Sequence, residues 1–278
     1  MAEHRHFGRA ATALRVAQPS LSRQIRRLEQ QIGACLFDRT PQSTRLTKAG
    51  EAFLPRAKAL LRLATQAMAQ ARDATQPSRV AIGYTTSMII TPAVGALRRE
   101  HPDADVQTVH LDWNPRDALL DHRVDAVVCL LPFSTDQLHV TILYDEPRVV
   151  LVAVDHRLAG RQSVTIDDIA DEPIPKLRDC DPAWNAFWRI DPRPNGRQAP
   201  EGPLFETLED WLEIIAAGQA VAIATGFHER LRPDITTVPL ESVEPGHVVV
   251  ASRAEDRSLL VAAFRKLASA HLTAPPRT

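Results

Sequence analysis

At 278 residues, with 44% hydrophobic and 24% charged side chains, the chain has the composition of a globular protein long enough for two domains. No stretch of 18 apolar residues is present, which excludes a transmembrane helix, and no membrane partner is expected; Cys35, Cys129 and Cys180 are too far apart for a disulfide framework or a zinc pattern. Met1-Ala2-Glu3-His4-Arg5-His6 opens without the apolar run of a secretory signal, so the expected compartment is the cytoplasm. The net charge of −1 conceals an asymmetry: residues 1–58 hold 11 Lys and Arg against 4 Asp and Glu, a surplus of +7, leaving 22 against 30, or −8, for the remainder. A basic end on an acidic body is the charge pattern of a nucleic-acid-binding module joined to something else.

In chain order, 6–14 reads as a short helix with Phe7, Ala10, Ala11 and Leu14 on its inner face; the small alanines let a second helix come close. Arg15-Val16-Ala17 is a tight connection. The next helix opens at Pro19, tolerated because the first turn has no use for its missing N–H, and closes at Gly33. Leu21, Ile25, Leu28 and Ile32 form one apolar stripe on it. Gln18, Pro19, Ser20, Ser22 and Arg23 gather at its exposed end, and Arg26 and Arg27 lie on its back. Alone, such a helix also reads as a solvated amphipathic helix. Placed second in a helix–turn–helix arrangement, it reads as one that enters a DNA major groove. Residues 36–39 and 45–47 alternate as two strands around a turn at 40–44, a wing on which Arg39, Arg45 and Lys48 are placed to touch phosphates. The DNA-binding domain is expected over 1–58.

Thr47 suits the cap of a long linker helix over 47–75, in which Phe53, Ala57, Leu60, Leu61, Ala64, Met68 and Ala71 recur at spacings of three and four. This stripe reads as a coiled-coil-like seam with a second copy of the protein, the alternative being packing on the body of the same chain. Pro55 lies inside the helix and is expected to kink or break its first turns, at a cost of about 3 kcal/mol.

These motifs resemble the winged helix-turn-helix of LysR-type transcriptional regulators. The matching stretches are His-Phe-Gly-Arg-Ala-Ala at 6–11, Gln-Pro-Ser-Leu-Ser-Arg-Gln-Ile-Arg-Arg-Leu-Glu at 18–29, Leu-Phe-Asp-Arg-Thr at 36–40 and Leu-Thr-Lys-Ala-Gly-Glu-Ala-Phe-Leu at 46–54. The rest of the chain resembles the same family more loosely. The family's module begins with a further helix, so ~15 residues are missing here by comparison. The expectation is a true start upstream of Met1, since Phe7, Leu14, Leu21 and Ile25 otherwise lose apolar cover at roughly 1.5–3 kcal/mol per large side chain.

After a linker at 75–78, strands at 79–84, 106–111, 124–131 and 148–154 alternate with helices at 88–101 and 116–122. The order β-α-β-α-β predicts a parallel sheet with right-handed crossovers, and the continuous apolar runs predict strands buried on both faces. From His156 a second unit follows. It carries a short helix at 166–170, a strand at 174–177, a segment around Trp184, Phe187 and Trp188, a helix at 208–217 and strands at 220–225 and 236–240. A strand at 248–252 and a helix at 258–272 return to the first unit. The expected fold class is α/β behind an all-α winged helix-turn-helix module and a long linker helix. The effector domain, 79–272, resembles two-lobed periplasmic binding proteins, with lobe I at 79–155 and 244–272 and lobe II at 156–243.

Such lobes take ligands at strand C-termini and helix N-termini. Thr85, Thr86 and Ser87 follow a strand and precede a helix, where hydroxyls and free N–H groups suit a carboxylate; ordinary N-capping is the alternative. Trp113, Asn114 and Arg116 match the family's effector cleft by motif order, although Arg116 also reads as a solvated helix charge. Lys176, Arg178 and Trp184 are expected to add cations and an aromatic wall, and Glu206, Thr207 and Leu208 the last side. The histidines never take metal-ligand spacing, and neither a nucleophile elbow nor a Gly-rich phosphate loop occurs, so no catalytic residue, metal or cofactor is expected. The expected ligand is a small-molecule effector, an aromatic or other carboxylate.

The resemblance implies a homo-oligomer, a dimer or a tetramer built from dimers, that binds double-stranded promoter DNA through recognition helices in adjacent major grooves. Effector binding would bias the lobes and so the contact with RNA polymerase. The opening and recognition motifs are similar to those of members controlling catabolism of aromatic compounds. The alternatives are a truncated regulator that dimerises and binds ligand without DNA, and a stand-alone solute-binding protein, which leaves the +7 end unexplained.

Overall fold

A computed structural model describes residues 6–39, 44–73, 79–178, 180–225 and 232–274. The chain divides into two units, Met1–Ala71 and Arg72–Thr278.

In the first unit, α1 (Phe7–Ala13) is capped by His6, whose Nδ1 accepts from the Gly8 N–H at 3.1 Å. The chain reverses over 14–17 and enters α2 (Gln18–Ile32), with Pro19 in its first turn and Gly33 at φ 75 ending it. That left-handed value is free of steric cost only for glycine. Ala10, Ala11 and Leu21 form a small core against which Phe7 and Ile25 pack. The apolar stripe of α2 fades along the helix: Leu21 is buried, Ile25 and Leu28 are half-buried and Ile32 is exposed. β1 (Phe37–Arg39) and β2 (Thr44–Leu46) pair antiparallel as the wing; most of the expected turn, 40–43, lies outside the described residues. Glu29 fastens α2 to this wing, its Oε1 accepting from the Leu36 N–H at 2.9 Å and the Phe37 N–H at 3.2 Å.

Helix α3 (Lys48–Asp73) starts behind Thr47, whose Oγ1 accepts from the Gly50 N–H at 3.0 Å and donates to the Cys35 carbonyl at 2.6 Å. The break expected at Pro55 does not occur. Both Pro55 and Glu51 are exposed, so the carbonyl that the missing N–H leaves over is not forced to stay unsatisfied in a core. Leu60, Leu61 and Met68 on α3 are 66%, 69% and 52% exposed. The linker expected at 75–78 lies outside the described residues.

The second unit opens with β3 (Arg79–Thr85), α4 (Thr91–Glu100), β4 (Asp105–Leu111), α5 (Pro115–Leu120) and β5 (Ala126–Leu130), with β3 parallel to both its neighbours. β6 (Leu138–Glu146) and β7 (Val149–Ala153) follow, then a single 3-10 turn at Asp167–Ile169, β8 (Ile174–Leu177) and α6 (Pro182–Arg189). β9 (Glu201–Phe205), α7 (Leu208–Ala216), β10 (Ala222–Ala224), β11 (Ile235–Pro239), β12 (Gly246–Arg253) and α8 (Leu259–His271) complete it.

The first lobe's sheet has the order β4-β3-β5-β12-β6. β12 runs antiparallel to both β5 and β6, so the sheet is mixed rather than wholly parallel. β12 arrives from the other lobe and not through a helical crossover, which frees it from the parallel direction. The second lobe is built on β10-β7-β11, all antiparallel, beside the parallel pair β8-β9. β7 therefore belongs to the second lobe, and the boundary expected at 155 is corrected to the passage between β6 and β7. A continuous apolar run reads alike in either sheet, and only its pairing partner decides.

Strand alternation gives the first sheet two buried faces. Val128, Val248 and Val250 meet Val94, Leu97 and Phe264 of α4 and α8, while Val127, Cys129 and Val249 meet Ala118 and Leu119 of α5. Val150 and Val152 of β7 face Leu158 and Ile169, and Leu151 faces Phe205, Trp211 and Ile215. Each such large side chain stabilises its lobe by about 1.5–3 kcal/mol.

Candidate effector cleft and DNA-binding face

The strands of the first lobe end at the cleft. Thr85 ends β3 and Thr86 follows it, Asp112, Trp113 and Pro115 follow β4, and Leu130 ends β5 with Pro132 and Phe133 after it. The second lobe answers with Ile174 and Pro175 of β8, Trp184, Asn185, Trp188 and Arg189 of α6, Phe205 at the end of β9, Leu208 and Trp211 of α7, and the stretch from Ala222 to Thr225. Together they enclose about 110 Å3, where a single water occupies ~10–15 Å3 by the same kind of measure. A small organic molecule fits. Open α/β sheets place ligands at just such carboxyl ends of strands.

Aromatic contacts join the walls. Trp113 of the first lobe meets Trp184 edge-to-face at 5.5 Å and Phe205 at 5.8 Å, both in the second. Contacts of this kind contribute about 0.5–1.5 kcal/mol each beyond buried area. Asn185 pins α6 to β8, accepting from the Leu177 N–H and donating to the Leu177 carbonyl, each at 3.0 Å. Arg148 backs the aromatic wall, its guanidinium 3.8 Å over the Phe187 ring and one Nη donating to the Phe187 carbonyl at 3.0 Å. Burial pulls its pKa down to about 10, opposed by the charge of Glu244, so it stays a cation at neutral pH.

Of the sequence-expected cleft residues, Thr85, Thr86, Trp113, Trp184 and Leu208 line the cavity. The others stand elsewhere. α4 starts at Thr91, with Pro92 in its first turn, so Thr85, Thr86 and Ser87 lie ahead of the helix and neither cap it nor share its free N–H groups. Instead Thr86 Oγ1 sits 3.2 Å from His110 Nε2, and Ser87 takes φ 71 in the turn. Asn114 is exposed at the start of α5, and Arg116 stands 3.9 Å from Asp117, away from the lining. Lys176 pairs with Glu201 at 3.5 Å and Arg178 with Glu206 at 2.9 Å, both exposed. Thr207 caps α7, its Oγ1 accepting from the Asp210 N–H at 3.1 Å. The cations expected to meet a carboxylate thus meet carboxylates of the same lobe. Sequence reasoning missed Trp188, Arg189, Phe205, Trp211 and Thr225; only the Trp-rich run pointed towards the first of them.

In the first unit, Gln18, Pro19, Arg23, Arg26 and Arg27 of α2 are exposed, Ser20 and Ser22 are half-exposed, and the neighbouring Leu21 is buried against α1. Arg45 of β2 is exposed on the wing, and Arg39 ends β1. A helix held by one buried face, with polar and cationic groups at its free end, has the form that enters a major groove.

The chain thus joins a winged helix-turn-helix in one unit to a two-lobed α/β domain with a cleft in the other. Residues 74–273 match the LysR substrate binding domain, and residues 1–51 match the bacterial regulatory helix-turn-helix protein, lysR family. The chain belongs to the LysR family of transcriptional regulators. The HTH-type transcriptional regulator YnfL of Escherichia coli K12 is 34% identical over 181 residues, which span 63% of this chain and 61% of YnfL. The DNA-binding transcriptional dual regulator OxyR of the same strain is 28% identical over 264 residues, 90% of this chain and 84% of OxyR. The crystal structure of full-length BenM shares the fold, with a TM-score of 0.57 at 22% identity over 96% of this chain and 91% of BenM.

Proposed function

We propose that the chain is a DNA-binding transcription regulator rather than an enzyme, working in the cytoplasm as a homo-oligomer on promoter DNA and switched by a small molecule in its cleft. The observation that carries the reading is α2, which buries Leu21 and leaves Gln18, Arg23, Arg26 and Arg27 exposed in a unit of the right family. Gln18, Pro19, Ser20, Ser22 and Arg23 read base edges, while Arg26, Arg27, Arg39 and Arg45 hold phosphates. Leu60, Leu61 and Met68 on α3 offer an apolar stripe to a second copy. The functional divisions are a DNA-binding domain at 1–58, a dimerisation helix at 47–75 and an effector domain at 79–272. Ligand that bridges the lobes prefers one lobe arrangement, and this differential affinity couples the cleft to DNA.

The experiment is a gel shift of wild type and Arg23→Ala on the DNA upstream of the protein's own gene and on a random duplex. Loss on the specific site exceeding loss on random DNA by about 1–3 kcal/mol supports base readout. Equal losses on both remove α2 as the reading helix.

A further inference from the structure

We infer that the effector of this cleft is a neutral, planar molecule carrying hydrogen-bond acceptors, and not a carboxylate; the inference rests on reading the cleft as an effector site. Its first support is a set of buried donors. The indole N–H groups of Trp113 and Trp188, the Nε–H of Arg189 and the hydroxyl of Thr225 are out of water without a hydrogen-bond partner among the described residues, and all four residues line the cavity. Buried polar groups are satisfied in the great majority of cases, and one left over carries a desolvation cost that a ligand removes. An indole N–H only donates, so the ligand atoms that satisfy Trp113 and Trp188 are acceptors.

The second support is charge. Among the described residues, the ionisable ones of the lining are Asp112 and Arg189. Arg189 is already committed: one Nη donates to Asp191 at 3.1 Å, the other to the carbonyls of Ala199 and Pro200 at 3.0 and 3.1 Å. Its charge is offset by Asp191, and Asp112, exposed at the rim, has no ion-pair partner among the described residues. A carboxylate entering here sheds its water and finds, among the described lining residues, Arg189 as the one cation, its charge already offset by Asp191, which leaves the ion poorly compensated. The third support is shape, since Trp113, Trp184, Trp188, Phe205 and Trp211 surround the space and suit a flat ring by stacking or edge contact. An acceptor shared between Trp113 of the first lobe and Trp188 or Thr225 of the second also ties the lobes together.

The test uses the full chain at pH 7 and four probes of similar size: coumarin, neutral with a lactone acceptor; benzoate, an anion; phenyltrimethylammonium, a cation; and naphthalene, without an acceptor. The protein's 4 tryptophans all line the cavity, so their fluorescence reports binding, with thermal shift as the second readout. Coumarin is expected to bind at least about tenfold more tightly than the other three. Trp188→Phe and Thr225→Val, which keep ring and shape, are each expected to weaken coumarin about three- to tenfold and leave naphthalene unchanged. Benzoate or phenyltrimethylammonium binding as tightly as coumarin overturns the inference while leaving an effector cleft in place. So does coumarin that loses nothing in both variants when these melt like wild type. No response to any of the four probes overturns the inference and the small-molecule reading of the cleft together.

Discussion

Replacing Gly50 by alanine separates helix propensity from packing, because the two predict opposite signs. Gly50 lies in the first turn of α3, and in an ordinary exposed helix Gly→Ala stabilises by about 1 kcal/mol. Here a Cβ would fall well inside contact distance of the Leu36 carbonyl oxygen, 2.9 Å from Leu46 Cδ2 and 3.1 Å from the Leu36 carbonyl carbon. The oxygen is backbone and already accepts the Thr47 N–H at 3.0 Å, so it cannot swing aside. The start of α3 must draw back by roughly an ångström to restore normal contact. That movement breaks the Thr47 N–H bond to Leu36 and the Thr47 hydroxyl bond to Cys35, about 1 kcal/mol each, and overpacking adds about 1–3 kcal/mol. After the propensity gain, a net loss of about 2–4 kcal/mol remains, which is a large part of the stability of a module this small at roughly 0.05–0.15 kcal/mol per residue. Circular dichroism melts should show the first unit unfolding earlier and gel shifts should show DNA binding lost. Tryptophan fluorescence, which comes from residues 113–211 alone, should report an unchanged second unit. A variant that melts at or above the wild-type temperature would refute the close approach of α3 to the wing.

Further predictions follow from single contacts. Arg45→Ala should weaken binding to specific and random DNA alike and lower the salt slope by about 1, measured by salt-titrated gel shift; a loss confined to the specific site would move Arg45 from phosphate to base readout. Arg253 is buried at 7% exposure and donates to the carbonyls of Leu119 and Val124 at 2.9 and 2.8 Å and to Asp125 and Asp256 at 3.0 and 2.7 Å. Arg253→Met should destabilise the first lobe by about 3–5 kcal/mol in urea unfolding followed by fluorescence, and a midpoint near wild type would contradict that network. Burial first, then the charge of Arg253, pull the pKa of His122 below its ordinary 6.5, opposed by Asp125, Glu255 and Asp256. The unfolded chain therefore takes up the proton first, so the contribution is present above about pH 6.5 and is lost as pH falls through the lowered folded value. His122→Asn, which suits the left-handed φ of 52 there, should flatten the fall in stability as pH drops below about 6.5. A variant with the wild-type pH slope would remove His122 from the account.

The parts legible in sequence were those set by local periodicity and local capping. Pro19 and Gly33 bounded α2, Thr47 marked the start of α3, and the apolar runs at 124–131 and 248–252 located the central strands. What sequence hid depends on pairing between distant segments. β7 looked like a first-lobe strand until its partners β10 and β11 placed it in the second. β6 escaped because its residues lie on a sheet edge and alternate only weakly between half-buried and exposed. The cleft suffered in the same way. Residues right after a strand, such as Trp113, were readable from topology, whereas Trp188, Phe205, Trp211 and Thr225 converge from four separate elements. The cations Lys176 and Arg178 misled because a charge in sequence carries no sign of the carboxylate that waits one strand away.

The most direct test of the central claim is a nuclease footprint of the full chain on the DNA upstream of its own gene. Two recognition helices related by a dimer axis should protect two half-sites of inverted sequence, spaced by about 10–10.5 base pairs or a multiple of it, with protection falling steeply as salt rises. A single unsymmetrical patch, or protection no different from that on random DNA, would contradict the regulator reading.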